Sequence, residues 1–253
     1  MMEKKIIETV KNARLARLLN NCYSMDTIDK CIDFWIMGDS LLFAYEDHGI
    51  QRLTYFVKDW QTLNELIDQI DGGVYFLEFM TKDPEEYIPK KAEKTAALMR
   101  LANPDCRSVF DIDSLVLQYR DPVVGEQAKE KDAEEINQIL WGTFHTEISH
   151  LLTDEEVRKR IDQFSIHRAE KGIDALLQAD IMPKKFYINQ VINHGEKKNI
   201  HAMLLTRLEE YVNNGGKYLY AWVEDKNTAS QKFHAKYGMK HDGMWNMVYR
   251  LER

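Results

Sequence analysis

The chain has 253 residues, of which 44% are hydrophobic and 30% charged, and a formal net charge of −7. That balance describes a folded globular protein rather than a disordered or fibrous one. Its acidity argues against a general nucleic-acid binder, whose affinity rests on a basic face. No apolar run approaches the ~18 residues of a membrane span, and the opening Met1-Met2-Glu3-Lys4-Lys5 enters a helical pattern without a signal-type apolar stretch. No membrane partner and a cytoplasmic location are therefore expected. Cys22, Cys31 and Cys106 are widely spaced, odd in number and lack a Cys-x-x-Cys pair, so neither a disulfide framework nor a metal site is indicated.

The length exceeds one usual domain of ~100–150 residues, and two domains are expected. In the first part, Val10, Ala13, Leu15, Leu18 and Leu19 recur at near-helical spacing. Leu41–Tyr45 and Leu53–Val57 flank a turn at Asp47-His48-Gly49 and read as an antiparallel hairpin. Trp60, Leu63, Leu66, Ile67 and Ile70 form an amphipathic helix stopped by Gly72-Gly73, and Val74–Phe79 is the next strand. A helix over Ala92–Leu101 and strand-like runs near Val109 and at Leu115-Val116-Leu117 complete this part.

Arg120-Asp121-Pro122-Val123-Val124-Gly125 breaks the pattern and sets domains of 1–121 and 125–253. Beyond it, a helix carries Ile136, Ile139, Leu140 and Phe144 on one face. Thr153-x-x-Glu156 is a capping box for a second helix, over Asp154–Phe164. Ser165–Ala169 and Ile173–Ile181 form a hairpin about Glu170-Lys171-Gly172, followed by a strand over Lys185–Ile192. The helix His201–Val212, strand Tyr218–Val223, helix Thr228–Tyr237 and a closing strand near Met247-Val248-Tyr249 finish the chain. The two parts share an order of elements, which makes a tandem duplication an expectation of pattern alone. Tyr218, Tyr220, Trp222, Trp245 and Tyr249 lie on strands and read as core, with Trp245 and His241-Asp242-Gly243 as an alternative lining of a substrate mouth.

The stretch Ala221-Trp222-Val223-Glu224-Asp225-Lys226-Asn227-Thr228-Ala229-Ser230-Gln231-Lys232-Phe233-His234-Ala235-Lys236-Tyr237-Gly238-Met239 carries a more specific signal. It resembles the GNAT acetyltransferase superfamily, whose members end a strand in Val, follow it with Asn and a small residue three later, and place an aromatic further on before Gly-Phe. The likeness covers about half the chain, from 125 to 253. It implies an α/β (α+β) fold with a mixed, mostly antiparallel central sheet flanked by helices. The first part is then a degenerate GNAT-like repeat that shapes or covers the acceptor site, giving two tandem GNAT-like domains.

Asn227 sits where a strand gives way to a helix, and its side chain suits the N-cap; in the family that position also hydrogen-bonds the pantetheine arm of CoA. Ser230 and His234 stand four apart on one helix face towards the expected cofactor, while Ala229, Phe233 and Tyr237 form a neighbouring core face. His234 falls where many members carry a tyrosine that protonates the departing thiolate, and phosphinothricin-type acetyltransferases also carry His there. The family's pyrophosphate loop, Gln/Arg-x-x-Gly-x-Gly/Ala, aligns with Glu196-Lys197-Lys198-Asn199-Ile200-His201, which has neither glycine. Here Lys197 and Lys198 supply charge and Asn199 tolerates the backbone angles of glycine. With Val191, Gly195, Ile200, His201 and Ala202, these residues are the expected cofactor contacts, together with Asn227 and Ser230.

Transfer to an amine needs a base, and the strand Phe186–Ile192 offers only Asn189 and Gln190. Glu224 is the candidate, with Asp180 and His167 behind it. The resemblance thus implies acetyl-CoA as co-substrate, a small-molecule or peptide primary amine as acceptor, and allows a homodimer. An aminoacyl transferase of tandem-GNAT type and a non-catalytic ligand-binding protein that keeps the fold are the competing readings.

Overall fold

The computed structural model describes residues 2–22, 27–111, 119 and 125–253, with the backbone alone for residues 2–5. Its described residues group into two compact units: one drawn from Met1–Leu98, Thr146–His150 and Met244–Arg253, the other from Met99–His145 and Leu151–Gly243. Compactness thus groups the chain differently from a single cut at 121–125, and residues 120–124 of that segment lie outside the described ones.

The first unit contains α1 (Met2–Leu15), β1 (Leu19–Asn20), β2 (Cys31–Met37), β3 (Ser40–Asp47), β4 (Ile50–Val57), α2 (Trp60–Ile67) and β5 (Val74–Thr81), with parts of β6 (Ala92–Asn103) and β12 (Lys240–Glu252). The sheet order is β2-β3-β4-β5-β12-β6, with β1 beside β4. The expected hairpin is present, in register from Leu41↔Phe56 to Asp47↔Ile50. Its two-residue turn places His48 at φ 53° and Gly49 at φ 81°, the positive pair that matches the twist of the flanking strands. Alternation then splits the hairpin between two cores. Leu42, Ala44, Leu53, Tyr55 and Val57 pack with Leu63, Leu66 and Ile67 of α2. Leu41, Phe43, Tyr45 and Phe56 pack with Ile6, Val10 and Ala13 of α1. Antiparallel pairing of β5 with β12 runs from Thr81↔Trp245 to Val74↔Glu252.

Two expectations for this part are corrected, and one strand is added. Ala92–Leu101 is not a helix but most of β6: its Ala, Leu, Met and Lys favour a helix intrinsically, and sheet neighbours on both sides override that weak preference. The run near Val109 is a turn of 3-10 helix, Cys106–Asp111. Strand β2 was not expected at all. The run Leu115–Leu117 lies outside the described residues.

The second unit adds β7 (Glu126–Gln127), α3 (Ala133–Thr143), α4 (Asp154–Lys159), β8 (Phe164–Ala169), β9 (Gly172–Met182), β10 (Lys185–Asn193), α5 (Lys197–Asn213), β11 (Tyr218–Glu224) and α6 (Thr228–Ala235). Its strand order is β6-β11-β10-β9-β8-β7. Ala175, Leu177, Ala179, Phe186, Ile188, Leu219, Ala221 and Val223 meet Leu204, Leu205 and Leu208 of α5 on one face. Ile166, Leu176 and Ile192 meet Ile136 and Leu140 of α3 and Val157 of α4 on the other. The capping box forms as expected, Glu156 N donating to Thr153 Oγ1 at 3.2 Å and Thr153 N to Glu156 Oε2 at 2.9 Å, though α4 ends at Lys159. The fold class is as the sequence implied: a mixed, mostly antiparallel sheet flanked by helices. No helix among the described residues is long and apolar enough to cross a membrane.

Residues Thr146–His150 belong to the first unit although their chain neighbours do not, and an ionic clasp accounts for this. Arg52, 2% exposed, reaches Asp47 Oδ2 through Nε at 2.7 Å and Glu78 Oε1 through Nη1 at 2.6 Å. Its Nη2 donates to the carbonyl of Thr146 at 2.5 Å. His150 closes the clasp, Nδ1 on Asp47 at 3.0 Å and Nε2 on Glu78 at 3.1 Å. Desolvation by the surrounding protein works against a charged His150, whose side chain is still 46% exposed, but the Glu78 charge and the hydrogen bonds to Asp47 and Glu78 prevail and raise it to about 9. Burial likewise opposes ionisation of Asp47, and His150 and Arg52 overcome it, holding that carboxyl at about 2.

Removing one partner of a buried ion pair leaves the others uncompensated, a loss of about 3–5 kcal/mol. Arg52→Ala should therefore lower the unfolding free energy obtained from urea titration by that order, and a change under about 1 kcal/mol would contradict the clasp. Because His150 is raised in the folded state, its contribution is full below the unfolded value of ~6.5 and is lost as pH rises towards 9. Between pH 6.5 and 9.5 the wild type should lose more stability than His150→Ala; equal losses would remove His150 from the clasp.

Candidate functional site

Strands β10 and β11 run parallel and in register from Lys185↔Tyr218 to Ile188↔Ala221. There the pairing stops, while β10 continues to Asn193 and β11 to Glu224. On its other side, β10 keeps its pairing to β9 but shifts register at the same place, Ile188 opposing Ala179 and Gln190 opposing Gln178. Asn189 is the extra residue of a β-bulge, which bends a strand and re-aims its side chains. The inversion is visible in the packing. Before the bulge Phe186 and Ile188 face α5; after it Val191 does, and Ile192 joins the opposite core.

Parting two strands leaves peptide N–H and C=O groups on the facing edges that the sheet itself no longer matches. An extended chain bearing amides is the kind of ligand that fits such an opening. Gln190, 7% exposed, lies at the bulge, and its Oε1 is buried without a hydrogen-bond partner, a state that costs free energy until something donates to it.

Helix α5 begins at Lys197, four residues before the expected start at His201, so Lys197 to Ala202 are helical rather than a glycine-like loop. Lys197 and Lys198 are exposed, and Lys198 pairs with Glu196 at 3.2 Å. Asn199, Ile200, His201 and Ala202 are buried, which leaves backbone amides and two lysines, not those side chains, at the helix N-terminus. That terminus is where backbone N–H groups and the helix dipole favour an anion. Asn199 takes no left-handed conformation; instead its side chain meets His167 Nδ1 at 3.0 Å.

His167 in turn lies 2.5 Å from Asp174 Oδ1. The backbone carbonyl of Asp174 accepts from His194 N at 2.7 Å and Gly195 N at 3.2 Å. A Cβ at Gly195 would stand 2.0 Å from Asp174 Oδ2. A side chain at this glycine would thus have to displace the Asp174 carboxylate from where it meets His167, and β8, β9 and the start of α5 are tied by His167, Asp174 and Asn199. Sequence reading missed Asp174; no local signal marks it.

On α6, Asn227 is the N-cap, its Oδ1 accepting from Ser230 N at 3.0 Å. Ser230 is half-buried and Ala229 exposed, so Ala229 is no core residue, whereas Tyr237 is fully buried. His234 is 3% exposed, with Nδ1 buried and unpartnered. Burial alone lowers it to about 4, so it is neutral near pH 7 rather than an imidazolium.

His201 is sandwiched by Tyr119 at 4.3 Å and Phe233 at 4.9 Å between ring centroids. Its Nδ1 lies 2.7 Å from Tyr237 Oη and its Nε2 3.4 Å from Lys236 Nζ. Burial, then the charges of Lys236 and Lys197, lower it to about 4. It therefore packs α5 against α6. Glu224 is half-buried at the free end of β11, and its backbone carbonyl accepts from Asn227 N at 2.9 Å and Gln231 Nε2 at 3.5 Å at the start of α6.

No family model matches the chain, and no curated relative matches it. Solved structures do. A protein assigned to the GNAT family of acetyltransferases, from Novosphingobium aromaticivorans, superposes with a TM-score of 0.57 at 12% identity, over 84% of this chain and 88% of that one. A tandem GNAT protein from the clavulanic acid biosynthesis pathway gives 0.54 at 12% identity, over 88% and 83%. N-myristoyltransferase of Saccharomyces cerevisiae, solved with bound myristoyl-CoA, gives 0.51 at 9% identity, over 84% of this chain and 63% of that one. Likeness at such low identity is a likeness of architecture, and on it the chain has the GNAT fold.

Proposed function

We infer that the protein is an acyl-CoA-dependent N-acyltransferase that moves an acetyl group from acetyl-CoA directly to a primary amine of a small molecule or peptide. One observation carries the reading: β10 parts from β11 at the Asn189 bulge, at the foot of a helix whose N-terminus offers amides and Lys197 and Lys198. The opening suits the amide-bearing pantetheine arm, and the helix N-terminus suits the pyrophosphate. Val191, Gly195, Lys197, Lys198 and the backbone from Asn199 to Ala202 are the proposed contacts, with Asn227 and Ser230 on α6. A backbone N–H of the bulge polarises the thioester carbonyl, Glu224 takes the proton of the amine, and His234 donates to the departing sulfur. In the same reading residues 1–121 are a degenerate GNAT-like domain and 125–253 the acetyltransferase domain, in the cytoplasm.

A second reading, a CoA-binding protein without catalysis, is favoured by one fact, the neutral and enclosed His234. Two measurements separate the cases. Calorimetry should detect binding of acetyl-CoA and of CoA; no heat with either at millimolar concentration would end both readings. His234→Phe should slow CoA-thiol release in the presence of a primary amine by roughly 100-fold, the scale of losing one preorganised donor, with affinity for CoA nearly intact. Unchanged turnover would remove His234 from the chemistry, and no turnover by the wild type with any amine would leave only the binding protein.

A further inference from the structure

The face of the second unit's sheet turned away from α5 carries, besides Glu224, side chains that no step above uses. Leu219, Ala221 and Val223 face α5, so Tyr218, Tyr220, Trp222 and Glu224 line the opposite face of β11. Phe186 and Ile188 face α5 as well, so Tyr187 joins that opposite face. Register extends the row sideways: Tyr187 stands directly across from Tyr220 on β11 and from Asp180 on β9. Asp180, Tyr187 and Tyr220 are thus abreast, and all three are half-buried. The two rings stack at 4.8 Å and 12°, and Tyr218 lies 5.8 Å beyond. Tyr218 and Tyr220, read as core from the sequence, are instead partly open.

The charges on this face are unevenly satisfied. Asp242 is held by Arg100, Nε to Oδ2 at 2.8 Å, and Arg100 lies over the Trp222 ring at 5.8 Å. Asp180 makes no hydrogen bond or ion pair among the described residues. Burial, then the Asp180 charge, raises the Tyr220 hydroxyl, which puts the carboxylate within electrostatic reach of that ring. A half-buried carboxylate without a counter-ion, beside electron-rich ring faces, favours one kind of ligand group, a cation. An apolar or anionic group would leave Asp180 unmatched.

Distance along the strand sets where that cation sits relative to the reacting centre. Asn189 is two residues beyond Tyr187, about 7 Å at the rise of a strand. We propose that the acyl acceptor is an amine with a second positive charge about 7 Å from the reacting nitrogen, that charge being held by Asp180 against the Tyr187 and Tyr220 rings. The proposal rests on the acyl-transfer reading and names its substrate class. In the step it serves, the free nitrogen forms a bond to the thioester carbonyl carbon as the carbon–sulfur bond breaks; the surplus proton on nitrogen leaves to a base, and the sulfur departs as a thiol. The second ammonium group stays protonated throughout.

The test compares 1,4-diaminobutane with butylamine as acceptors for the wild type, Asp180→Asn and Asp242→Asn. The wild type should show a KM for the diamine at least ten-fold below that for the monoamine. Asp180→Asn should bring the two together, and Asp242→Asn, whose carboxylate is already paired, should keep the ratio. Equal KM values in the wild type, or a ratio that survives in Asp180→Asn, would overturn the proposal. Calorimetry of the diamine alone keeps the two readings apart. If no amine is acylated, the acyl-transfer reading fails, while diamine binding that is lost in Asp180→Asn still supports the subsite, and absent or unaltered binding removes it.

Discussion

The candidate chemistry of the second unit depends on the loss of pairing between two parallel strands. A parallel ladder is held by slanted peptide hydrogen bonds, and giving up those of β10 beyond Ile188 is unfavourable unless something else matches the exposed groups. The bulge at Asn189 makes the parting permanent, because it turns β10 by one residue while its pairing to β9 continues to Asn193↔Ala175. Val191 and Ile192 then anchor the turned segment in the two cores. The opening is therefore built into the sheet, and its rim carries a buried amide oxygen, Gln190 Oε1, without a donor.

Charge placement around the opening follows a division of labour. Asp174 supports the connection to α5, and a side chain at 195 would displace its carboxylate from His167. Lys197 and Lys198 stand outside, at the exposed start of α5. His201 and His234 are enclosed and kept neutral by burial, so they shape the site without adding charge. In the first unit the opposite solution holds. Arg52, Asp47, Glu78 and His150 are kept charged by one another, and the mutual pairing is what binds the segment Thr146–His150.

Local features were legible in the sequence and tertiary ones were not. The His48-Gly49 turn, the Thr153–Glu156 box and the Asn227 cap depend on residues a few positions apart, and each formed as its residue types require. The alternation in β10 held only a partial signal, since Val191 breaks the even spacing of Phe186 and Ile188 while Ile192 does not. Ala92–Leu101 misled because its composition favours a helix and only its neighbours in the sheet make it a strand. His234 read as a residue open to a cofactor because helical spacing gives a direction but not what lies over it. The Arg52 clasp joins residues from distant parts of the chain, and no spacing rule anticipates it.

The central claim is that the parted strands receive the thioester arm of CoA with its carbonyl at the bulge. A crystal structure of the protein with a non-hydrolysable acetyl-CoA analogue tests this most directly. The pantetheine arm is expected between the ends of β10 and β11, with the carbonyl oxygen about 3 Å from a backbone nitrogen of residues 189–191. An analogue bound elsewhere, with β10 and β11 separated only by protein side chains, would contradict it.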